Sequence, residues 1–102
     1  MKNNCCSCKN EQKLAETVAF LKAISDKNRL EIICLLKENE KCVCEIVGFL
    51  EIPQNLVSHH LKVLRQKGLV VSRKEGLKVF YSLNHQNFAR FLEFFNFLTY
   101  IK

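Results

Sequence analysis

Proline occurs once and glycine three times in the 102 residues, and no Ser/Pro-rich stretch or internal repeat divides the chain, so little of it reads as linker or unfolded sequence. No apolar run approaches the ~20 residues of a membrane span. The polar start Met1-Lys2-Asn3-Asn4 lacks the apolar core of a secretory signal, which predicts a cytoplasmic protein without a membrane partner. No cysteine is followed by a phosphate-cradling loop and arginine, and no acid/base pair clusters, which argues against an enzyme or a small-molecule substrate. Acidic residues are also scarce, ten against sixteen Lys and Arg, for a net charge of +6. That deficit is local. Between Pro53 and Leu83, Glu75 stands alone against Lys62, Arg65, Lys67, Arg73, Lys74 and Lys78.

With 48% hydrophobic residues, a chain of this length builds one domain with a modest core, in the range where dimerisation commonly adds stability. Six cysteines suggest a disulfide scaffold only in small secreted domains that cannot build such a core. Reduced thiols are therefore expected, and reduced thiols bind soft metals. Residues 1–9 read as a flexible cysteine-bearing arm and 10–102 as the folded domain.

The helical period gives the elements. Leu14, Ala15, Val18, Ala19 and Leu21 mark a helix from about Asn10 to Ile24. Asp26 or Ser25 caps a second, with Leu30, Ile33, Cys34 and Leu36 following to about Glu38. A third begins near Cys42 and runs to Leu50, with Val43, Ile46, Val47 and Leu50 on one face. After the turn Glu51-Ile52-Pro53, Leu56, Val57, Leu61 and Leu64 fix a fourth helix to the core. These two form a helix-turn-helix. The fourth helix closes at Gly68 and enters a basic hairpin through Val70, Val71 and Arg73, with its tip at Lys74-Glu75-Gly76 and a return strand through Lys78 to Leu83. Asn84 caps a last helix to about Tyr100.

The fourth helix leaves Gln54, Asn55, Ser58, His59 and Lys62 free of the core, with His60 and Arg65 beside them. Short donors and acceptors of this kind reach base edges in a major groove wide enough for a helix, while lysine and arginine neutralise flanking phosphates. Arg73, Lys74 and Lys78 on the hairpin extend the basic surface in a second direction. The pattern predicts a mainly α protein with a small β-hairpin (α+β), a winged helix-turn-helix of five helices and a two-stranded wing, bound to double-stranded DNA. Phe88, Phe91, Leu92, Phe94, Phe95, Phe97 and Leu98 make the last helix apolar on more than one face, too much for this domain to cover. A homodimer through the first and last helices follows, its two reading heads suited to half-sites about 34–36 Å apart.

Cys34, flanked by Ile33, Leu35 and Leu36, is expected to be a small buried hydrophobe. The other five cysteines cluster as Cys5-Cys6-Ser7-Cys8 and Cys42-Val43-Cys44. Residues two apart on a regular helix point in nearly opposite directions, so Cys42 and Cys44 need an irregular first turn to grip one ion. Helix-dipole charge there favours thiolate, the metal-binding form. Cadmium, lead or zinc takes three or four sulfurs and trivalent arsenic or antimony three, so the missing donors are sought in Cys5, Cys6 and Cys8. His59 and His60 diverge as neighbours on a helix, and their place favours DNA contact over ligation.

Ser25-Asp26-Lys27-Asn28-Arg29-Leu30, Cys42-Val43-Cys44-Glu45, Ser58-His59-His60-Leu61-Lys62-Val63-Leu64 and Gly76-Leu77-Lys78-Val79-Phe80-Tyr81-Ser82-Leu83 together resemble the ArsR/SmtB family of metal-responsive winged-helix repressors. The similarity covers about Leu21 to Leu83. It implies a homodimer that sits on its operator without metal, blocks transcription of an efflux or detoxification gene, and leaves when a toxic ion binds. The Cys-Val-Cys pair is similar to the arsenite and cadmium/lead branches. Val47 stands where the arsenite branch has its third cysteine. Cys5, Cys6 and Cys8 resemble the arm of the cadmium/lead sensors, whose donors complete the pair on the other subunit. The branch that senses zinc through the last helix is poorly matched, since only His85 and Glu93 remain there. Two other readings stand beside this one: the thiols sense oxidation by forming a disulfide, or the chain buffers metal without regulating a gene.

Overall fold

The computed structural model of the protein describes residues 11–100, and side chains as far as residue 93. The arm, with Cys5, Cys6 and Cys8, and the side chains of Phe94, Phe95, Phe97 and Leu98 lie outside the described residues. The order is α1 (Glu11–Ile24), α2 (Lys27–Glu38), β1 (Lys41–Cys42), α3 (Val43–Leu50), α4 (Gln54–Gln66), β2 (Val70–Glu75), β3 (Lys78–Leu83) and α5 (His85–Tyr100).

Helix α1 forms where the period predicts, but with the opposite face inward. Thr17, Phe20 and Ala23 are buried, while Leu14, Val18 and Leu21 are exposed. Thr17 is tolerated inside because its hydroxyl donates to Lys13 O at 2.9 Å. Phe20 stacks on Phe91 of α5 at 4.2 Å and meets Phe88 edge-on at 5.7 Å, and Arg90 pairs with Glu16 at 3.0 Å. These contacts lay α5 along α1.

Asp26 is the N-cap of α2. Its Oδ1 accepts from Arg29 N at 3.1 Å, and that bond, reinforced by the Arg29 charge, holds the carboxyl below its ordinary range despite some desolvation. Ile32 and Leu36, one turn apart, set the buried face. Position 34 falls between them on the other side of the helix, so Cys34 is exposed, contrary to the expectation that it is a core residue.

The two-stranded wing forms as expected, but a third strand joins it. β1 pairs antiparallel with β3, Lys41 opposite Tyr81 and Cys42 opposite Phe80, so the sheet has three strands in the order β1-β3-β2. The third strand exists because Cys42 is extended (φ −83°, ψ 162°) as the N-cap of α3 rather than helical. At the β2–β3 turn, Glu75 faces Lys78 across a two-residue loop, and Gly76 takes φ +62°, the conformation that favours glycine at the first position of a tight hairpin.

Ile32, Leu36, Ile46, Val57, Leu61, Leu64, Leu69 and Val70 are almost wholly buried, drawn from α2, α3, α4 and the start of the wing. The core therefore anchors the base of the wing beside α4.

Candidate nucleic-acid interface and cysteine site

Along α4 the buried positions are Val57, His60, Leu61 and Leu64, the i, i+3, i+4, i+7 set of one helix face. Leu56, expected inside, is 43% exposed. His60, expected on the DNA-facing surface, takes the inward position left at i+3 and is 8% exposed. Arg29 Nη1 lies 3.2 Å from His60 Nδ1, and Arg29 Nε donates to Ala23 O at 2.6 Å. Donation by Arg29 requires a bare Nδ1, hence the neutral ring with its proton on Nε2. Burial pushes the His60 pKa below its ordinary value, and Arg29 and His59 push the same way while Asp26 opposes. His60 is thus a strut between α2 and α4, on the core side of the helix and apart from its exposed polar face.

Gln54, Asn55, Ser58, His59, Lys62 and Arg65 are exposed together on the outer face of α4. Arg65 Nη1 donates to Ser72 Oγ at 3.3 Å, linking the end of that face to β2. On the wing, Arg73, Lys74 and Lys78 are exposed, yet Arg73 is occupied. Its Nε and Nη2 reach the two oxygens of Glu40 at 2.7 and 2.8 Å, its Nη1 reaches Glu75 at 2.8 Å, and its guanidinium lies over the Phe80 ring at 4.8 Å. The bond from Arg73 holds the Glu40 carboxyl below its ordinary range. Among the described residues, Lys62, Lys67, Lys74 and Lys78 have no ion pair. With Arg65, whose bond is to the neutral Ser72 hydroxyl, they carry the uncompensated charge of the surface.

Cys42 and Cys44, expected as reduced thiols, are instead bonded as a disulfide, with Cα atoms 5.4 Å apart. The extended Cys42 backbone supplies the irregular turn that brings the sulfurs together, and Cys42 N donates to Glu45 Oε1 at 2.8 Å, half of a capping box. Cys42 is 4% exposed, whereas Cys44 faces outward. Beside them opens a cleft of about 380 Å³, lined by both cysteines, by Gln54 and Ser58 of α4, and by Lys78 and Tyr81 of β3. The sulfurs therefore share one hollow with two residues of the exposed α4 face and a wing lysine. Among the described residues no group of three His, Cys, Asp or Glu converges as a metal site.

Sequence reasoning found the exposed α4 face and the cysteine pair but missed Arg29 and Glu40. The Arg29–His60 contact had a readable trace, since position 60 completes the 57, 61, 64 face. The Glu40–Arg73 pair had none, because residues so far apart in sequence meet only through the β1–β3 pairing.

A helix-turn-helix followed by a hairpin wing, with a polar and basic face on its second helix, defines a winged helix-turn-helix DNA-binding regulator. Residues 26–72 match the model of the bacterial regulatory protein arsR family. The transcriptional activator HlyU of Vibrio cholerae is 41% identical over 83 residues, 81% of this chain and 77% of HlyU. The structure of reduced HlyU from that species superposes with a TM-score of 0.75 at 38% identity, covering 93% of this chain and 99% of its own. The arsenical resistance operon repressor of Staphylococcus xylosus is 41% identical over 81 residues, 79% of this chain and 74% of the repressor. The cadmium resistance transcriptional regulatory protein CadC homolog of Staphylococcus aureus is 34% identical over 84 residues, 81% of this chain and 69% of its own. The chain belongs to the arsR family of transcriptional regulators. These are DNA-binding proteins, not enzymes, and among the described residues no helix is long and apolar enough to cross a membrane.

Proposed function

We propose that the protein is a homodimeric repressor that holds operator DNA through the exposed face of α4 and the wing, and releases it when a thiophilic ion binds the thiolates of Cys42 and Cys44. The observation that carries this reading is the shared cleft: Gln54, Ser58 and Lys78 line the same hollow as the two cysteines. An ion held there acts directly on groups that face the duplex. Two sulfurs are one or two donors short of what cadmium, lead or arsenite takes, and Cys5, Cys6 and Cys8, on the same or the opposite subunit, are the donors proposed to complete the set. Zinc is a weaker candidate. Two relatives are named for arsenical and cadmium resistance, which supports a soft inducer.

Release needs only a modest bias. A coupling free energy of about 1–3 kcal/mol lowers operator affinity roughly 5–150-fold, and by linkage the operator weakens ion binding by the same factor. The exposed stripe Leu14, Val18 and Leu21 on α1, with Leu92 on α5, supports dimerisation through these helices. A gel-shift titration with Cd(II), Pb(II) and As(III) on the reduced protein tests the reading. Wild type is expected to leave the operator and Cys44→Ser to stay.

A second reading rests on the Cys42–Cys44 bond itself. In it, the two thiols give up two protons and two electrons to an oxidant such as a peroxide, and the disulfide is the signal. Peroxide releasing the operator where ions do not would select this reading.

A further inference from the structure

Arg73 is the one wing cation whose charge is already matched within the described residues. Glu40 meets it with both oxygens, on Nε and Nη2 at 2.7 and 2.8 Å, the side-on fork that a guanidinium also offers to phosphate. Glu75 takes the remaining bonded nitrogen at 2.8 Å, and Phe80 backs the guanidinium at 4.8 Å. Arg73 and Glu40 are 52% and 34% exposed in their side chains. An ion pair this open to water adds little to stability, so its consequence lies in what it denies to other ligands. Among the described residues, Lys74, next to it on β2, and Lys78, opposite Glu75 on β3, have no ion pair.

We propose that Glu40 is an internal stand-in for a DNA phosphate, holding Arg73 against the wing so that a duplex gains this contact only by displacing the Glu40 carboxylate. The lysines engage any phosphate that comes near. Arg73 engages only when the backbone runs close enough to compete on both faces of the fork. Glu40 therefore lowers the affinity for arbitrary duplex more than for a duplex seated in register, and sets selectivity without touching a base. Glu40 immediately precedes β1, two residues before Cys42, so the counter-ion and the cysteine lie in one short segment.

This rests on the reading that the wing lies on DNA, and the test separates the two. Observed affinity is measured against salt concentration, for a mixed-sequence duplex and for the operator, with the full chain as wild type, Glu40→Gln, Arg73→Gln, the Glu40→Gln/Arg73→Gln double variant and Lys74→Gln/Lys78→Gln. Each phosphate neutralised adds about 0.9 to the slope of log affinity on log salt. Glu40→Gln is expected to bind the mixed-sequence duplex more tightly, with a slope steeper by about 0.9, and to gain less on the operator. Adding Arg73→Gln should erase that gain, whereas Arg73→Gln alone should leave the mixed-sequence slope unchanged. If Glu40→Gln is no tighter and no steeper while Lys74→Gln/Lys78→Gln still flattens the slope, the wing is on DNA and Glu40 is not its counter-ion. If the lysine variant leaves the slope at its wild-type value, the wing placement itself is wrong and this inference goes with it.

Discussion

Arg29 Nη1 stands 3.2 Å from His60 Nδ1, joining the first turn of α2 to the middle of α4. Because the acceptor nitrogen must be bare, the contact exists only with a neutral ring, and burial lowers the His60 pKa from its ordinary 6.5. A histidine shifted this way favours folding above its unfolded pKa, near 6.5, and loses that contribution as pH falls from there through the folded value. Wild type should therefore lose stability on acidification below about pH 6.5 more steeply than His60→Asn, whose amide oxygen can accept the same hydrogen bond without titrating. His60→Ala leaves an Arg29 donor unmet and should cost about 1–3 kcal/mol at neutral pH. Urea unfolding across pH reads both effects.

Gly68 ends α4 with φ +74°, and a Cβ there would meet Asn87 Nδ2 at 2.5 Å. Asn87 Nδ2 donates to Gly68 O at 2.7 Å, so the glycine and the start of α5 are fitted to each other. Gly68→Ala should destabilise by about 1–2 kcal/mol from the left-handed backbone alone, with more from the displaced amide. Asn87→Ala in the same background should recover part of the loss, which a double-mutant cycle of thermal melts would measure.

The apolar stripe on α1 gives a separate test. Val18 is 44% exposed and Leu21 38%, while Thr17, Phe20 and Ala23 keep the helix on the core. Val18→Glu/Leu21→Glu should leave the circular dichroism spectrum intact and yield a monomer by sedimentation. Operator affinity should fall with it, because one reading head loses its tethered twin.

The elements and their order were legible because helical period, the Asp26 and Asn84 caps and the glycine turns are local signals. Asn84 Oδ1 accepts from Asn87 N at 3.3 Å, as the cap requires. What the sequence hid was direction and distance. Leu14, Val18 and Leu21 share a helix face as well as Thr17, Phe20 and Ala23 do, and hydropathy chose the stripe that stays exposed. Cys34 and His60 were misplaced for the opposite reason: residue type outweighed angular position, which sets Cys34 across the helix from the buried Ile32 and Leu36 and His60 on the buried side with Val57, Leu61 and Leu64. β1 is two residues long and owes its strand geometry to a partner in β3, which no local pattern announces. The cysteine pair was legible as a cluster, but its opening onto Gln54, Ser58 and Lys78 appears only when the wing folds back on α3.

Burial separates the two sulfurs as targets for mutation. Cys42 is 4% exposed, so Cys42→Ser places a hydroxyl in the core and should cost about 1–3 kcal/mol if no partner is found. Cys44 faces outward, and Cys44→Ser should melt close to wild type and still bind the operator. The serine variant at position 44 is thus the cleaner probe of sensing, read by gel shift with and without ion.

The most direct measurement follows thiolate charge-transfer absorbance and operator anisotropy in one titration of the fully reduced protein with Cd(II), Pb(II) and As(III). For at least one ion the absorbance should saturate stoichiometrically while operator affinity falls roughly 5–150-fold over the same range, and Cys44→Ser should show neither change. Undiminished operator affinity at saturating thiolate absorbance, for every ion, would contradict the account.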